Sequence, residues 1–234
     1  MLQLPPLSLY VHIPWCVRKC PYCDFNSHQA AEEIPEADYV RALIADLRAD
    51  QHWAQGRKLH SIFFGGGTPS LFSGAAIGAI LSAADHIIGF DRDIEISFEA
   101  NPGTFEQQKF ADFYSAGINR LSIGVQSFNA GHLERLGRIH DGEQALRAIG
   151  TAQAAGFSNF NIDLMHGLPK QTISEAQTDL TLAIDNGAQH ISWYQLTIEP
   201  NTEFYSRPPI LPTDDRLADI QQAGMHLLQS SSFY

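Results

Sequence analysis

Runs of apolar, β-branched or aromatic residues recur along the chain at 7–13, 61–65, 94–99, 120–125, 159–164 and 190–197. Between them the apolar positions change to helical spacing. Segment 35–53 carries Tyr39, Val40, Leu43, Ile44 and Leu47 at i, i+3, i+4 intervals, with Glu36 early and Arg48 late, as the helix dipole prefers. Segments 73–88, 104–116, 141–155, 172–186 and 213–229 read the same way. Ser73, Thr104 and Asp141 stand where helix N-caps belong, Pro35 suits a first turn, and Gly117, Gly156 and Gly187 fall at C-caps. Strand and helix alternating through the chain predicts an α/β fold with a parallel sheet and right-handed crossovers.

Two architectures meet that pattern, an open doubly wound sheet and a barrel. A barrel gathers ligand residues from many strand ends around one rim, whereas an open sheet concentrates them at a switch point. Here every predicted strand carries polar or glycine signals at its end: Tyr10 and His12, then Gly65-Gly-Gly-Thr-Pro69, Glu99-Ala-Asn-Pro102, Gln126-Ser127, Asp163, and Gln195 with Thr197. The expectation is therefore a barrel-like rim. No linker, low-complexity tract or residue-level repeat divides the sequence, so residues 1–234 are expected to form one domain.

Fifteen basic against twenty-six acidic residues give a formal net charge of −11, which argues against non-specific binding to nucleic acid or anionic membranes. The amino terminus lacks the basic start and apolar core of a signal peptide, and no apolar run approaches the ~20 residues of a membrane span. A cytoplasmic setting is expected, where thiols stay reduced.

That matters for the three cysteines, Cys16, Cys20 and Cys23, which all fall in one stretch directly after the first strand. Their C-x3-C-x2-C spacing lets three thiolates converge on one metal centre. A [4Fe–4S] cube commonly takes four thiolates, and the chain has no fourth, which would leave one iron open to an outside ligand. A Cys3His zinc site using His12 or His28 is an alternative, although no second C-x2-C pair supports it. A disulfide fits poorly with an odd count. Phe63-Phe-Gly-Gly-Gly-Thr-Pro69 lets backbone approach a ligand closely or forms a tight βα turn, and it lacks the Gly-Lys-Ser/Thr ending of a phosphate loop. Glu95, Ser97 and Glu99 share one face of their strand, Glu95 as a solvated position, and Asp163 interrupts an apolar run where an unbonded carboxylate would be costly. The histidines His12, His28, His140 and His166 are read as structural or surface groups.

Tyr10-Val-His-Ile-Pro-Trp-Cys16 and the cysteine spacing resemble the cluster loop of radical S-adenosylmethionine (SAM) enzymes, in the branch containing oxygen-independent coproporphyrinogen III oxidase and the haem chaperone HemW. The resemblance implies a partial (β/α)6 barrel, a [4Fe–4S] cluster on Cys16, Cys20 and Cys23, and SAM chelated at the open iron. It implies SAM contacts for Tyr10, Tyr22, Gly66, Gly67, Thr68, Glu99, Gln126, Arg138 and Asp163, reductive cleavage of SAM, and no catalytic side chain beyond the cluster. Haem or a porphyrin, a reductant protein and haem-accepting proteins are the implied partners. Asp24-Phe25 after the third cysteine, and Trp193-Tyr-Gln-Leu-Thr-Ile-Glu-Pro-Asn-Thr202, resemble the chaperone rather than the oxidase, so haem delivery and porphyrinogen decarboxylation both stay open. Full-length relatives continue past the position of Tyr234 with a further segment and domain. Their absence is expected to leave apolar surface exposed around Ile191, Trp193, Leu227 and Leu228, and to make the chain prone to association.

Overall fold

The structure, a computed structural model, describes residues 4–30, 33–103 and 107–233. Six parallel strands form its main sheet: β1 (Leu7–Ile13), β4 (Leu59–Gly66), β5 (Phe90–Ala100), β6 (Arg120–Gln126), β7 (Phe160–His166) and β8 (His190–Gln195), neighbouring one another in chain order. Each crossover carries a helix: α1 (Glu36–Asp50), α2 (Gly74–Ile87), α3 (Phe110–Ala116), α5 (Gly142–Ala154) and α6 (Ile173–Asp185), with α8 (Asp214–Ser230) following β8. β1 and β8 are the two edges, so among the described residues the sheet is an arc and not a closed barrel. All six expected strands and all six helices are present.

Two of the predicted caps are made by side chains: Ser73 accepts from Ala76 N–H, and Asp141 forms a reciprocal capping box with Gln144. Thr172 forms a further capping box with Glu175. Thr104, expected as a cap, lies outside the described residues. Pro35 stands one position before α1, and Gly117, Gly156 and Gly187 follow their helices with positive φ.

Boundaries differ where tertiary pairing overrides local pattern. β5 begins four residues earlier than its apolar alternation suggests, because Phe90 pairs with Leu59 beside a charged stretch. β8 stops at Gln195, since Leu196 N–H turns back to His166 C=O at 2.9 Å. Too short for periodicity to signal are α4 (Ala130–Arg135), α7 (Glu203–Ser206) and a two-stranded ladder of β2 (Trp15–Cys16) with β3 (His28–Gln29).

The two faces of the sheet are chemically distinct. Val11, Ile13, Ile62, Phe64, Ile96, Phe98, Leu121, Ile123, Ile162 and Leu164 form the buried core with the helices. The alternate residues are largely polar and join across strands. Ser61 Oγ meets Ser8 Oγ at 2.8 Å, Arg120 donates to Ser97 Oγ at 3.1 Å, Asn161 to Ser122 Oγ at 2.9 Å, and Ser192 to Asn161 Oδ1 at 3.1 Å. Parallel sheets normally bury apolar residues on both faces; a polar second face marks a concavity that holds something other than hydrocarbon.

The expected apolar exposure at the sixth unit is not what the structure shows. Leu228 is buried, and Ile191, Trp193 and Leu227 pack against the core. α8 lies close enough that a Cβ on Gly224 would stand 2.0 Å from the Trp193 ring, so the last helix covers that surface itself. Among the described residues no helix is long and apolar enough to cross a membrane.

Candidate functional site

At the carboxyl ends of the six strands lies a cavity of about 480 Å3. Cys16, Cys20 and Cys23 all line it, joined by Tyr22, Gly66, Gly67, Thr68, Glu99, Gln126, Arg138 and Asp163. Of the residues that the resemblance assigned to the cluster or to SAM, Tyr10 alone is outside that lining. Its ring stacks on Phe63 with centroids 6.3 Å apart, and its hydroxyl meets His12 Nδ1 at 2.9 Å.

The cysteine loop is fixed at its base before any ligand is considered. β2 and β3 close it, with Ala30 N–H donating to Cys16 C=O at 2.8 Å and His28 N–H to Pro14 C=O at 2.9 Å. His12 Nε2 donates to Asn26 C=O at 2.8 Å, and Lys19 bridges Phe25 C=O at 3.0 Å and Ser27 C=O at 2.9 Å. From the far side Phe204 N–H donates to Pro21 C=O at 2.9 Å, and its ring lies 6.3 Å from Tyr22. Burial pushes the Cys23 thiol up; Ser27 opposes this, and the neighbouring Cys20 and Cys16 add to it.

β4 ends in the glycine turn. Gly66 has φ +115°, and a Cβ there would stand 2.6 Å from the His12 ring. At Gly67 a Cβ would stand 2.5 Å from Trp15 C=O, so only glycine lets this turn press against the base of the cysteine loop. Gly67 N–H and Thr68 N–H donate to Ile13 and Trp15 carbonyls, each at 2.7 Å.

Charged groups converge opposite. Glu99 accepts from Gly66 N–H at 3.2 Å; burial raises its carboxyl to about 7, with Asp163 adding repulsion. Asp163 accepts from Ser122 at 3.0 Å and Asn161 at 2.7 Å, yet burial still holds its pKa above the ordinary carboxylate range. Arg138 donates to Asn101 Oδ1 at 2.6 Å, Gly124 C=O at 2.7 Å and Cys20 Sγ at 3.5 Å, while its Nε is buried without a partner. Burial opposes the charge on Arg138, but Tyr22 and Cys20 favour it and the pKa rises.

Three residues that the sequence reading named only within longer stretches, with no role of their own, also shape the site. Asn101 donates to Thr68 Oγ1 at 3.1 Å and so ties two strand ends together. Tyr194 donates to Gln126 Oε1 at 2.7 Å across the rim. Glu199 adds a further carboxylate to the lining, which also includes the expected strand-end residues Gln195 and Thr197. Neither Asn101 nor Tyr194 stands out in a one-dimensional pattern, since each acts on a residue from another strand. The histidines have other work: His140 donates to Val125 C=O at 3.0 Å, and burial lowers the pKa of both His140 and His166 to about 4.

The donor set suits an iron–sulfur cube. A single tetrahedral ion needs its sulfurs within roughly 3.8 Å of one another, from bonds of about 2.3 Å. Among the described residues no three His, Cys, Asp or Glu side chains are gathered to hold one ion. Three thiols around one cavity can instead each take a separate iron. Arg138, Glu99 and Asp163 place groups of both charge signs on the cavity wall beside the thiols.

The family model described as the Radical SAM superfamily matches residues 10–183. The chain belongs to the radical SAM superfamily. Over 237 residues it is 56% identical to the heme chaperone HemW of Haemophilus influenzae, and over 233 residues 55% identical to that of Escherichia coli. Both alignments take in all of this chain and 62% of the relative, so the radical SAM chain spans less than two thirds of these proteins. Among solved structures it is similar to coproporphyrinogen III oxidase (HemN) from Escherichia coli, with TM-score 0.86 and 30% identity over 97% of this chain and 53% of that one. The archaeal Elp3 of Methanocaldococcus infernus shares the fold, with TM-score 0.66 at 15% identity over 93% of this chain and 53% of that one. The partial barrel expected from sequence is thus the radical SAM barrel.

Proposed function

We propose that the chain is the radical SAM core of a HemW-like haem chaperone, a single domain that holds a [4Fe–4S] cluster on Cys16, Cys20 and Cys23 and binds SAM beside it. The carrying observation is the convergence of three thiols, a glycine turn, two carboxyls and a buried arginine on one cavity. The glycine turn brings the backbone of Gly66 and Gly67 to the rim, with Thr68 beside them, where the amino group of SAM can approach. Glu99 and Asp163 offer acceptors to that ammonium and to ribose hydroxyls, and Arg138 offers a donor fork to the carboxylate. Gln126 adds an amide, Tyr22 walls the cluster side, and Tyr10 supports the rim through Phe63 and His12. When bound and reduced, the cluster supplies an electron to the sulfonium of SAM.

Haem as cargo, a reductant protein and haem-accepting proteins as partners follow from likeness to HemW, and a cytoplasmic setting keeps the three thiols free to bind iron. A second reading, oxidation of a porphyrinogen, is favoured by the likeness to coproporphyrinogen III oxidase. With the anaerobically reconstituted protein, SAM is expected to bind in equilibrium dialysis and Arg138→Ala to weaken it roughly tenfold or more, the worth of a charge-assisted bond. Haem uptake and passage to an acceptor, without carbon dioxide release from coproporphyrinogen, is the expected pattern. Carbon dioxide release would select the second reading, and undiminished SAM binding by Arg138→Ala would refute the cavity assignment.

A further inference from the structure

Behind the sheet, on α6, Asp179 is only 2% exposed and takes no direct part in the cavity. Its two oxygens are both committed: Ser127 Oγ donates to Oδ2 and Phe128 N–H to Oδ1, each at 2.7 Å. Both donors are neutral. They belong to the two residues immediately after Gln126, the last residue of β6 and part of the cavity wall.

Gln126 is held in an unusual way. It is buried and has φ +68°, a left-handed conformation that side-chain-bearing residues adopt at a cost and keep only where surroundings impose it. The β6–β7 register shifts between Ile123 and Gln126, so the ladder alone does not fix this residue. What does fix it is a turn: Ser127 N–H donates to Val125 C=O at 2.9 Å, and Asn129 N–H to Ser127 Oγ at 3.0 Å. Asp179 grips the middle of that turn. In front, Tyr194 engages Gln126 Oε1 at 2.7 Å, which leaves the amide N–H groups as the donors Gln126 can present.

Stability alone does not explain a carboxylate here. Burial raises the Asp179 pKa to about 6, the bonds from Ser127 and Phe128 oppose that rise, and Glu175 adds repulsion. A buried charge without a cationic partner tends to cost more than a neutral residue of its shape. A two-pronged acceptor reaching a hydroxyl and a backbone N–H at once is a geometric asset.

We propose that Asp179 is a positioning residue: by gripping Ser127 and Phe128 from behind the sheet it holds Gln126 left-handed and aims its amide into the cavity. The ligand named for that cavity, SAM, rests on the function proposed above; the grip itself does not.

The test compares wild-type protein, reconstituted anaerobically, with Asp179→Asn and Gln126→Ala. Asp179→Asn is expected to speed amide hydrogen exchange at residues 127–129 about tenfold or more and to weaken SAM binding about tenfold, because an uncharged amide holds Ser127 and Phe128 less strongly than a carboxylate does. Its thermal midpoint at pH 8 should be no lower than wild type. Unchanged exchange at residues 127–129 would overturn the proposal. So would unchanged SAM affinity in Asp179→Asn alongside weakened binding in Gln126→Ala, or a lowered midpoint as the sole effect. Faster exchange with SAM affinity unmoved in both variants would leave the grip standing but overturn the claim that it aims Gln126 at SAM. Should Asp179→Asn fail to fold, Ser127→Ala decides at residues 127 and 128, since Asn129 loses its own Ser127 Oγ acceptor in that variant: the Phe128 bond is kept, and a smaller change of the same sign is expected against none.

Discussion

Glu99 and Asp163 share the cavity wall with Arg138, and burial makes the protonation of both carboxyls sensitive to their surroundings. Burial, then repulsion from Asp163, raises Glu99 from 4.5 to about 7, while Gly66 N–H pulls the other way. A raised pKa on an acid means that the folded chain holds the proton more tightly than the unfolded chain does. The resulting stabilisation is full below about pH 4.5 and is lost as pH rises through about 7. Thermal midpoints measured from pH 5 to 8 should therefore fall for the wild type and fall less for Glu99→Gln. Equal slopes would show that Glu99 is not buried as described. Asp163 was legible in the sequence as a carboxylate in an otherwise apolar strand, Glu99 through its resemblance to the family's strand end, and the cysteines because their chemistry is confined to one short loop. The roles of Asn101, Tyr194 and Asp179 were not, since each matters through a partner 33, 68 or 52 positions away, and only the tertiary packing of strand ends and of α6 brings those pairs together.

At the scale of elements, the strands carry two messages at once. One set of alternate residues packs the helices and the other builds the polar wall of the cavity, which is why the pattern was readable as strand and as rim together. The short elements around the cysteine loop left no periodic trace; they exist because tertiary contacts at Pro21, Phe204 and the β2–β3 ladder hold them. Apolar surface was expected to stay exposed around Ile191, Trp193, Leu227 and Leu228, and α8 instead seals β8 through the close approach of Gly224 to the Trp193 ring. Gly224→Ala should force that ring or the helix to move and lower unfolding free energy by about 1–3 kcal/mol, the usual cost of overpacking. Urea unfolding would register it; an unchanged midpoint would mean that α8 docks loosely.

For the whole molecule, the cavity draws on every strand end: the cysteine loop after β1, the glycine turn of β4, Glu99 and Asn101 at the end of β5, Gln126 and Arg138 around β6, Asp163 on β7, and Tyr194 to Glu199 from β8 onward. Such a site forms only when the full arc has formed, so cluster assembly reports on the fold as well as on the thiols. Reconstitution with iron and sulfide under anaerobic conditions, followed by metal and sulfide counts on gel-filtered protein, tests the three-thiol centre most directly. About four irons and four sulfides per chain with a brown chromophore, all lost in Cys20→Ala, are the expected result for a cube. Stoichiometric zinc with no chromophore, or a full cluster retained by Cys20→Ala, would contradict it.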